Sequence, residues 1–379
     1  MKYFQFLLII TCYCQTLNAQ DKTNSDPDKL LSYYQTHRYD EAVNYLRGVY
    51  SDSTEDPKEL SQLAYSSLMA GQYAQAEKSY LKLHAQNASD LPVLFNLAVI
   101  NAKRGNHTKA ENYYKQILKV DSNNFMAYKQ LALLNNSNSA KDKIQALVKA
   151  NGLNPKDPDV AFELSEVFIQ KDSFQRAKMV LDTALNADSA NLRLMKLKIP
   201  ISIAEKKYSE AITVGDYLLQ SGDSSAYTLN NVAKAHFLSM DYHNALKYFL
   251  MIPQTEDETL MYHIGMSYRG IKDYKNAATY LEKAIKQGIS SKTATYYGLL
   301  GDSYEMTGKN EDATRVYKKG LLFENNGSLF YNIALLYETK LNDKKNAVSY
   351  YEQYLKTLDE KQQPKQVIFI KRKIDELKK

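Results

Sequence analysis

Histidine is the residue type best suited to metal binding or acid–base chemistry near neutral pH, and the chain contains six. Two of them, His236 and His263, fall on neighbouring segments with helical periodicity and could approach each other. No carboxylate or cysteine stands beside them at the spacing that zinc sites use. We therefore expect packed or half-exposed histidines, and the sequence predicts no metal and no cofactor.

Carboxylates are the second residue type that could do chemistry here. Paired acids for glycoside hydrolysis could be supplied by Glu163, Glu166, Asp302 and Glu305. Residues 301–309 lack the spacing of a phosphate-binding loop, and residues 121–126 lack the ligands of a calcium loop. Acids on solvated helices are usually surface charge, so we predict no catalytic residue. A glycan-acting enzyme or carbohydrate-binding protein is the alternative function.

The composition excludes several protein classes. Of 379 residues, 44% are apolar and 24% charged, as in ordinary globular proteins. Only 14 glycines and 8 prolines leave few tight turns, which disfavours an all-β sandwich or barrel. A net charge of +6, with no basic run longer than residues 371–373, gives no case for nucleic-acid binding.

The N-terminus has the form of a secretory signal peptide. A basic start at Lys2 precedes an apolar run over residues 4–10, and Ala19 offers a cleavage site, so residues 1–19 are predicted to be removed on export to the periplasm or beyond. The run is too short to span a bilayer. Both cysteines, Cys12 and Cys14, lie within residues 1–19. Lipid attachment at Cys12 is the less favoured option.

An internal repeat dominates the rest of the chain. Nine alanines recur at spacings of 34, 34, 67, 34, 34, 32, 36 and 34 residues: Ala42, Ala76, Ala110, Ala177, Ala211, Ala245, Ala277, Ala313 and Ala347. The interval of 67 holds one degenerate copy, with Lys143 or Ile144 in the alanine position, which makes ten copies. Each copy contains two stretches of i, i+3, i+4, i+7 apolar spacing, which predicts an antiparallel helix pair. A small residue is needed where the two helices cross, and such pairs must stack to bury their apolar faces.

The repeat resembles the tetratricopeptide repeat family, on residues such as Phe95-Asn96-Leu97-Ala98 with Gly105 and Ala110. The resemblance covers residues 27–358 and implies an all-α fold, an α-solenoid or superhelix of about ten helix-turn-helix repeats. A short linker at residues 20–26 would precede it, and a C-terminal capping helix would follow within residues 359–379. Residues 135–139 and Pro200 depart from the pattern, so irregular curvature is expected near residues 135–205.

The resemblance also implies a concave groove, lined by the first helix of each pair, that binds protein or peptide segments. The residues expected to face it are Tyr65, Phe95, Phe162, Arg193, Lys196, Tyr227, Asn230, Lys234, Phe237, Tyr262, Arg269 and Tyr331, with Val99, Ile169 and Met266 beside them. Aromatic and basic side chains are typical interface anchors, and the basic middle favours an acidic segment or a terminal carboxylate. The prediction is a non-enzymatic interaction scaffold of the bacterial cell envelope, with an unidentified protein partner and no nucleic acid.

Overall fold

The computed structural model describes residues 25–134, 140–253, 257–287, 292–324 and 326–379. Every regular element in these ranges is an α-helix. The all-α fold predicted from the repeat is therefore confirmed. The predicted signal peptide with Cys12 and Cys14, and the departure at residues 135–139, lie outside the described residues.

The first compact unit ends at Asn154. Its helices are α1 (Pro27–Gln35), α2 (Tyr39–Val49), α3 (Pro57–Met69), α4 (Tyr73–Gln86), α5 (Leu91–Lys103), α6 (His107–Val120), α7 (Phe125–Leu133) and α8 (Ala140–Leu153). Odd-numbered helices are the first members of their pairs and even-numbered helices the second.

The second compact unit begins at Pro155. Its helices are α9 (Pro158–Gln170), α10 (Phe174–Ala187), α11 (Leu192–Ala204), α12 (Tyr208–Gln220), α13 (Ala226–Leu238), α14 (Tyr242–Met251), α15 (Glu258–Gly270), α16 (Tyr274–Lys286), α17 (Thr293–Met306), α18 (Asn310–Gly320), α19 (Gly327–Thr339), α20 (Lys344–Leu355) and α21 (Pro364–Leu377). Within each unit, a helix packs mainly against the helices that precede and follow it in the chain. Such nearest-neighbour packing is the hallmark of an α-solenoid.

The first helix of most pairs starts at a residue whose side chain caps it. Asp56, Asp90 and Asp157, for example, each accept a hydrogen bond from a backbone N–H of the first turn. A proline stands in that first turn in all three helices, where its missing N–H costs nothing. These caps fix where each first helix begins, and so fix which side chains point the same way.

In every pair whose internal turn the structure describes, that turn bends through one residue in the left-handed region of backbone space. Positive φ angles of 52–76° occur at His37, Gly71, Gly105, Asp172, Lys206, Met240, Lys272, Gly308 and Asn342. Three of these nine are glycines. The other six accept a local conformational cost of about 1–2 kcal/mol each for a side chain in this region, because the helix pair on either side dictates the turn.

The repeat alanines lie where the two helices of a pair meet. All nine predicted anchors, from Ala42 to Ala347, have zero solvent exposure. In the degenerate copy the fourth residue of α8, which corresponds to Ala110 in α6 and Ala177 in α10, is Lys143, and it is half-buried. Leu147 and Ala150 follow Lys143 at the same spacings at which Tyr114 and Ile117 follow Ala110, and all four are buried, so the register of α8 agrees with Lys143 at the alanine position.

Two further predictions concern helices α11 and α21 of the second unit. Pro200 lies inside α11, which nevertheless continues from Leu192 to Ala204 as one helix. Helix α21 buries an apolar stripe, Val367, Ile370 and Ile374, and leaves its other face to solvent. In the ranges that the structure describes, we find no helix long and apolar enough to cross a membrane.

Candidate functional site

The predicted groove residues occupy a few fixed positions relative to the caps of the first helices. Counting from the capping residue, they stand two, five, nine or twelve residues later. With 3.6 residues per turn, these positions share one side of a helix. All twelve are half-buried or exposed. We call the members on α9, α11, α13 and α15 the first-helix face: Phe162, Arg193, Lys196, Tyr227, Asn230, Lys234, Phe237, Tyr262 and Arg269.

An aromatic cluster joins three successive first helices of the second unit. The ring of Phe237 on α13 lies 5.4 Å from the ring of His263 on α15, edge to face. The ring of Tyr262 lies 5.4 Å from His263 and 5.1 Å from Tyr296 on α17. Aromatic pairs at such distances attract each other beyond their burial. These four residues, Phe237, Tyr262, His263 and Tyr296, are the aromatic cluster.

His263 was missed as a member of this surface by the sequence analysis. Its Nδ1 donates a hydrogen bond of 2.7 Å to the carbonyl of Thr259, which leaves Nε2 without a proton in the neutral ring. Burial lowers the pKa of His263, and the nearby ammonium group of Lys234 lowers it further. The ring is therefore neutral near pH 7. The spacing signal that could have found it is its position beside Tyr262, one residue from the predicted face.

Three of the four cations predicted on this face are committed to partners within the chain. Arg193 lies over the ring of Phe162 at 3.9 Å and pairs with Asp159 at 2.9 Å. Lys196 pairs with Asp223 at 2.8 Å. Arg269 donates to the carbonyl of Leu299, to the hydroxyl of Ser303 and to the carboxylate of Asp302. The basic middle of the face is therefore largely neutralised by the protein's own carboxylates.

Lys234 is the exception among these four cations. It forms no ion pair within 4 Å and no hydrogen bond with any part of the chain that the structure describes. Burial lowers the pKa of Lys234, and the negative charge of Asp257 opposes that shift only in part. Asn230, one helical turn earlier on α13, likewise makes no side-chain hydrogen bond to the described residues.

The remaining predicted groove residues lie on other first helices. Tyr65 on α3 is 40% exposed and its ring packs edge-on against Tyr34 at 5.3 Å. Phe95 on α5 packs against Tyr114 at 5.8 Å. Tyr331 on α19 contacts Tyr354 at 5.3 Å. Their rings therefore partly pack against neighbouring helices.

His236 and His263, the two histidines considered for a metal site, have separate partners. His236 stacks on Tyr248 at 5.5 Å and donates from Nδ1 to Asp241 at 3.0 Å, so its partners differ from those of His263. The described residues contain no group of three or more histidine, cysteine, aspartate or glutamate side chains arranged to hold a metal ion.

The acids proposed for glycoside chemistry have structural partners. Glu163 lies 3.6 Å from Arg193. Burial, together with the charge of Glu166, raises the pKa of Tyr227 to about 12. Tyr317 donates to Asp302 at 2.7 Å and lies 3.4 Å from Glu305. These carboxylates therefore hold helices and side chains in place.

The first unit contains a cavity that the sequence did not indicate. Its volume is about 670 Å³, and it lies between α6, α7 and α8. Helix α7 has 9 residues, against 13 in α3 and α5, so it covers less of its neighbours. The walls are Leu118, Tyr128, Leu131, Leu134, Ile144 and Val148, with lysines at the rim, and none of the twelve predicted groove residues is among the lining.

Two family models match parts of the chain. The tetratricopeptide repeat model matches residues 259–287 and 327–357, and each match coincides with one helix pair, α15–α16 or α19–α20. A model described as Domain of unknown function (DUF7017) matches residues 93–219.

Several solved structures have a similar fold. A tetratricopeptide repeat protein from Parabacteroides merdae is 16% identical, with 65% of this chain and 98% of that chain covered and a TM-score of 0.44. YrrB, described as a TPR protein with an unusual peptide-binding site, is 17% identical, with 48% and 95% covered and a TM-score of 0.43. PilF from Pseudomonas aeruginosa is 18% identical, with 54% and 91% covered and a TM-score of 0.43. At such identities the likeness concerns the fold alone.

Proposed function

Because this chain is a tetratricopeptide repeat protein, we propose that it is a non-enzymatic scaffold that binds a segment of another protein on the first-helix face. The observation that carries this proposal is the aromatic cluster, in which the half-buried rings of Phe237 on α13 and Tyr262 on α15 pack around His263, and Tyr262 packs on the buried ring of Tyr296 on α17. Aromatic side chains supply large contact area at low entropic cost, and they dominate binding energy in protein interfaces.

The polar side chains of the face suit a peptide partner. Asn230 and Lys234 carry donors that no described part of the chain uses, next to the apolar rings. Tyr227 is 42% exposed on the same helix. A core of rings with polar groups around it has the composition of a specific protein interface.

Site-specific photocrosslinking in cells tests the location of the partner. A photoreactive phenylalanine analogue at Tyr262 should give a discrete crosslinked product. The matched control is the same analogue at Tyr217, which is 45% exposed on the second helix α12. We expect a product from position 262 that is absent at 217, and its loss in a Lys234→Glu variant. Identical products at both positions would remove the face from this function.

We also propose that the scaffold works in a bacterial cell envelope, since residues 1–19 have the form of a secretory signal. Mass spectrometry of the protein purified from fractionated cells tests this. The expected result is an N-terminus at Gln20 in the envelope or periplasmic fraction. Recovery of the intact N-terminal peptide in the cytoplasm would contradict it.

A further inference from the structure

The cavity between α6, α7 and α8 arises because α7 ends one turn early. Helices α5 and α7 begin after the capping residues Asp90 and Asn124, so Leu134 corresponds to Ile100. Ile100 lies in the last turn of α5, has zero exposure and belongs to one buried cluster with residues of α4. Leu134 follows the last residue of α7 and is only half-buried, in the wall of the cavity. The missing turn therefore leaves one side of α6 uncovered.

The walls of this cavity are largely apolar. Leu118, Leu131 and Leu134 pack on the buried core that α5, α6 and α7 share, and Ile144 and Val148 stand one turn apart on α8. Val148 is 47% exposed and the other four are half-buried. Apolar surface that remains in contact with water is unfavourable. A hydrocarbon ligand that replaced this water would therefore bind favourably.

The size and shape of the walls suit a flexible hydrocarbon chain. The volume of about 670 Å³ lies within the range of ~300–1,000 Å³ that is usual for small-molecule sites. Tyr128 contributes one ring, whereas the other apolar walls are aliphatic. Residues 135–139, which connect α7 to α8, are all asparagine or serine, so this connection has no apolar side chain with which to fill the cavity.

The rim of the cavity carries a small excess of positive charge. Its lysines are Lys115, Lys143 and Lys149, and its carboxylates are Glu111 and Asp142. Lys115 pairs with Glu111 at 2.5 Å, one turn away on α6. Lys149 is exposed and forms no ion pair or hydrogen bond with any residue that the structure describes. A ligand with a single negative charge therefore matches this rim best at Lys149.

We propose that this cavity binds a free long-chain fatty acid, with the hydrocarbon chain between α6, α7 and α8 and the carboxylate at Lys149. Lys149 directly follows the wall residue Val148, so one ligand can contact both the apolar wall and the ammonium group. The ammonium donates a charge-assisted hydrogen bond to the carboxylate. None of the cavity's lining belongs to the first-helix face, so this proposal does not depend on peptide binding there.

Calorimetric titration of the full chain tests the proposal. The ligands are straight-chain fatty acids from octanoate to palmitate, each below its micelle-forming concentration. Each added methylene should tighten binding about fourfold until the cavity is full, because each one buries further apolar surface. Dodecanoate should also raise the melting temperature of the protein. No binding by any member of the series, or an affinity that does not depend on chain length, would overturn the proposal.

A cavity-filling variant tests the location of the hydrocarbon chain. Val148→Trp enters the cavity from a partly exposed wall, so it should weaken dodecanoate binding at least about tenfold. Val120→Trp is the matched control, because Val120 is 49% exposed at the end of α6 and lies outside the lining. Melting without ligand checks that both variants fold, and Val148→Phe replaces Val148→Trp if the latter does not. Wild-type affinity in a folded variant at position 148 would place the ligand elsewhere.

The position of the carboxylate has its own test. Lys149→Gln should weaken dodecanoate binding about threefold, as loss of an exposed charge pair does, and should leave dodecanol binding unchanged. Lys119→Gln changes an exposed lysine of α6 outside the lining and should affect neither ligand. Equal effects of Lys149→Gln on the acid and the alcohol would overturn the assignment of the carboxylate to Lys149.

Vesicles of phosphatidylglycerol distinguish a free fatty acid from the acyl chain of a membrane lipid. We expect no cosedimentation of the wild-type chain with these vesicles that Val148→Trp abolishes. Cosedimentation that depends on Val148, without binding of dodecanoate, would identify a membrane lipid as the occupant and overturn the assignment of a free acid.

Discussion

Arg269 of α15 donates to Asp302 of α17 at 3.2 Å, and so joins two successive repeats. The same guanidinium donates to the carbonyl of Leu299, while Tyr317 and Asn332 donate to the other oxygen of Asp302. Arg269 was predicted to bind the partner, but its hydrogen bonds link α15 to α17 within the chain.

Replacing Arg269 by methionine should lower the free energy of unfolding by about 1–3 kcal/mol, because it removes the charged donor that the half-buried carboxylate of Asp302 and the carbonyl of Leu299 share. Arg193→Met is the control, since the Arg193 side chain is 51% exposed and its pair with Asp159 should contribute at most about 1 kcal/mol. Urea unfolding of both variants checks this. If the two variants lost equal amounts of unfolding free energy, a structural role of Arg269 between α15 and α17 would be contradicted.

Gly301 of α17 lies directly against the ring of Tyr317 of α18. A Cβ atom at Gly301 would lie 2.3 Å from the Tyr317 ring, whereas one at Gly48 on α2 would meet nothing within 4 Å. Gly301→Ala should therefore destabilise the protein by about 1–3 kcal/mol through overpacking. Gly48→Ala should stabilise it by up to about 1 kcal/mol through helix propensity. Melting temperatures that shift in the same direction would contradict this.

The repeat alanines make a second test of packing. Ala245 has zero exposure on α14, and Ala245→Leu should cost about 1–3 kcal/mol because the helices cannot separate locally. Ala226→Leu, at the exposed start of α13, is the control and should change stability by less than about 0.5 kcal/mol. An unchanged melting temperature for Ala245→Leu would contradict the assigned register.

The ion pair of Lys196 and Asp223 predicts a pH effect. Burial of Asp223 opposes its ionisation, but hydrogen bonds from Lys196 and two hydroxyl groups outweigh burial and lower the pKa of Asp223 to about 2. A carboxylate of this kind stabilises the fold above its unfolded pKa, about 3.9, and this contribution is lost as the pH falls through the folded pKa.

Lys196→Met removes the main donor, so the folded pKa of Asp223 should rise toward its ordinary value. The acid-unfolding midpoint of this variant should therefore lie at higher pH than that of wild type. Lys275→Met changes an exposed lysine on α16 and is the control. Its acid-unfolding midpoint should match that of wild type. A midpoint for Lys196→Met that coincides with wild type would show that the pair does not stabilise the fold.

The left-handed turns predict opposite effects for opposite substitutions. Gly308 has φ +75° with open space around it, so Gly308→Ala should cost about 1 kcal/mol through backbone strain alone. Met240 has φ 65° and is 73% exposed, so Met240→Gly should gain about 0.5 kcal/mol by relieving the same strain. Thermal unfolding of the pair checks the sign, and destabilisation by both would be inconsistent with this account.

The sequence was sufficient to predict the helix pairs, because the repeat period of about 34 residues and the alanines that mark it are visible in the order of the residues alone. It also predicted which side chains share a face, since the caps fix the register of each first helix. It did not predict that Arg193 and Asp159 neutralise each other. That pair joins residues 34 positions apart, and its formation depends on the distance between neighbouring helices.

A matching register was the available signal for this pair, because both residues stand two positions after the cap of their own helix. The hydrogen bond between Arg269 and Asp302 could not be predicted from a matching register, since the two residues stand at different positions of their helices. Only the coordinates revealed that Lys234 differs from the other cations of the face.

Helix α21 covers Tyr351 and Tyr354 of α20 with Ile370 and Ile374. Without α21, helices α19 and α20 would expose an apolar surface against which another helix could pack. A contact between such a surface and a different surface of an identical molecule is heterologous, and heterologous contacts that do not close into a ring extend into filaments. By covering this surface, α21 disfavours self-association at α19 and α20.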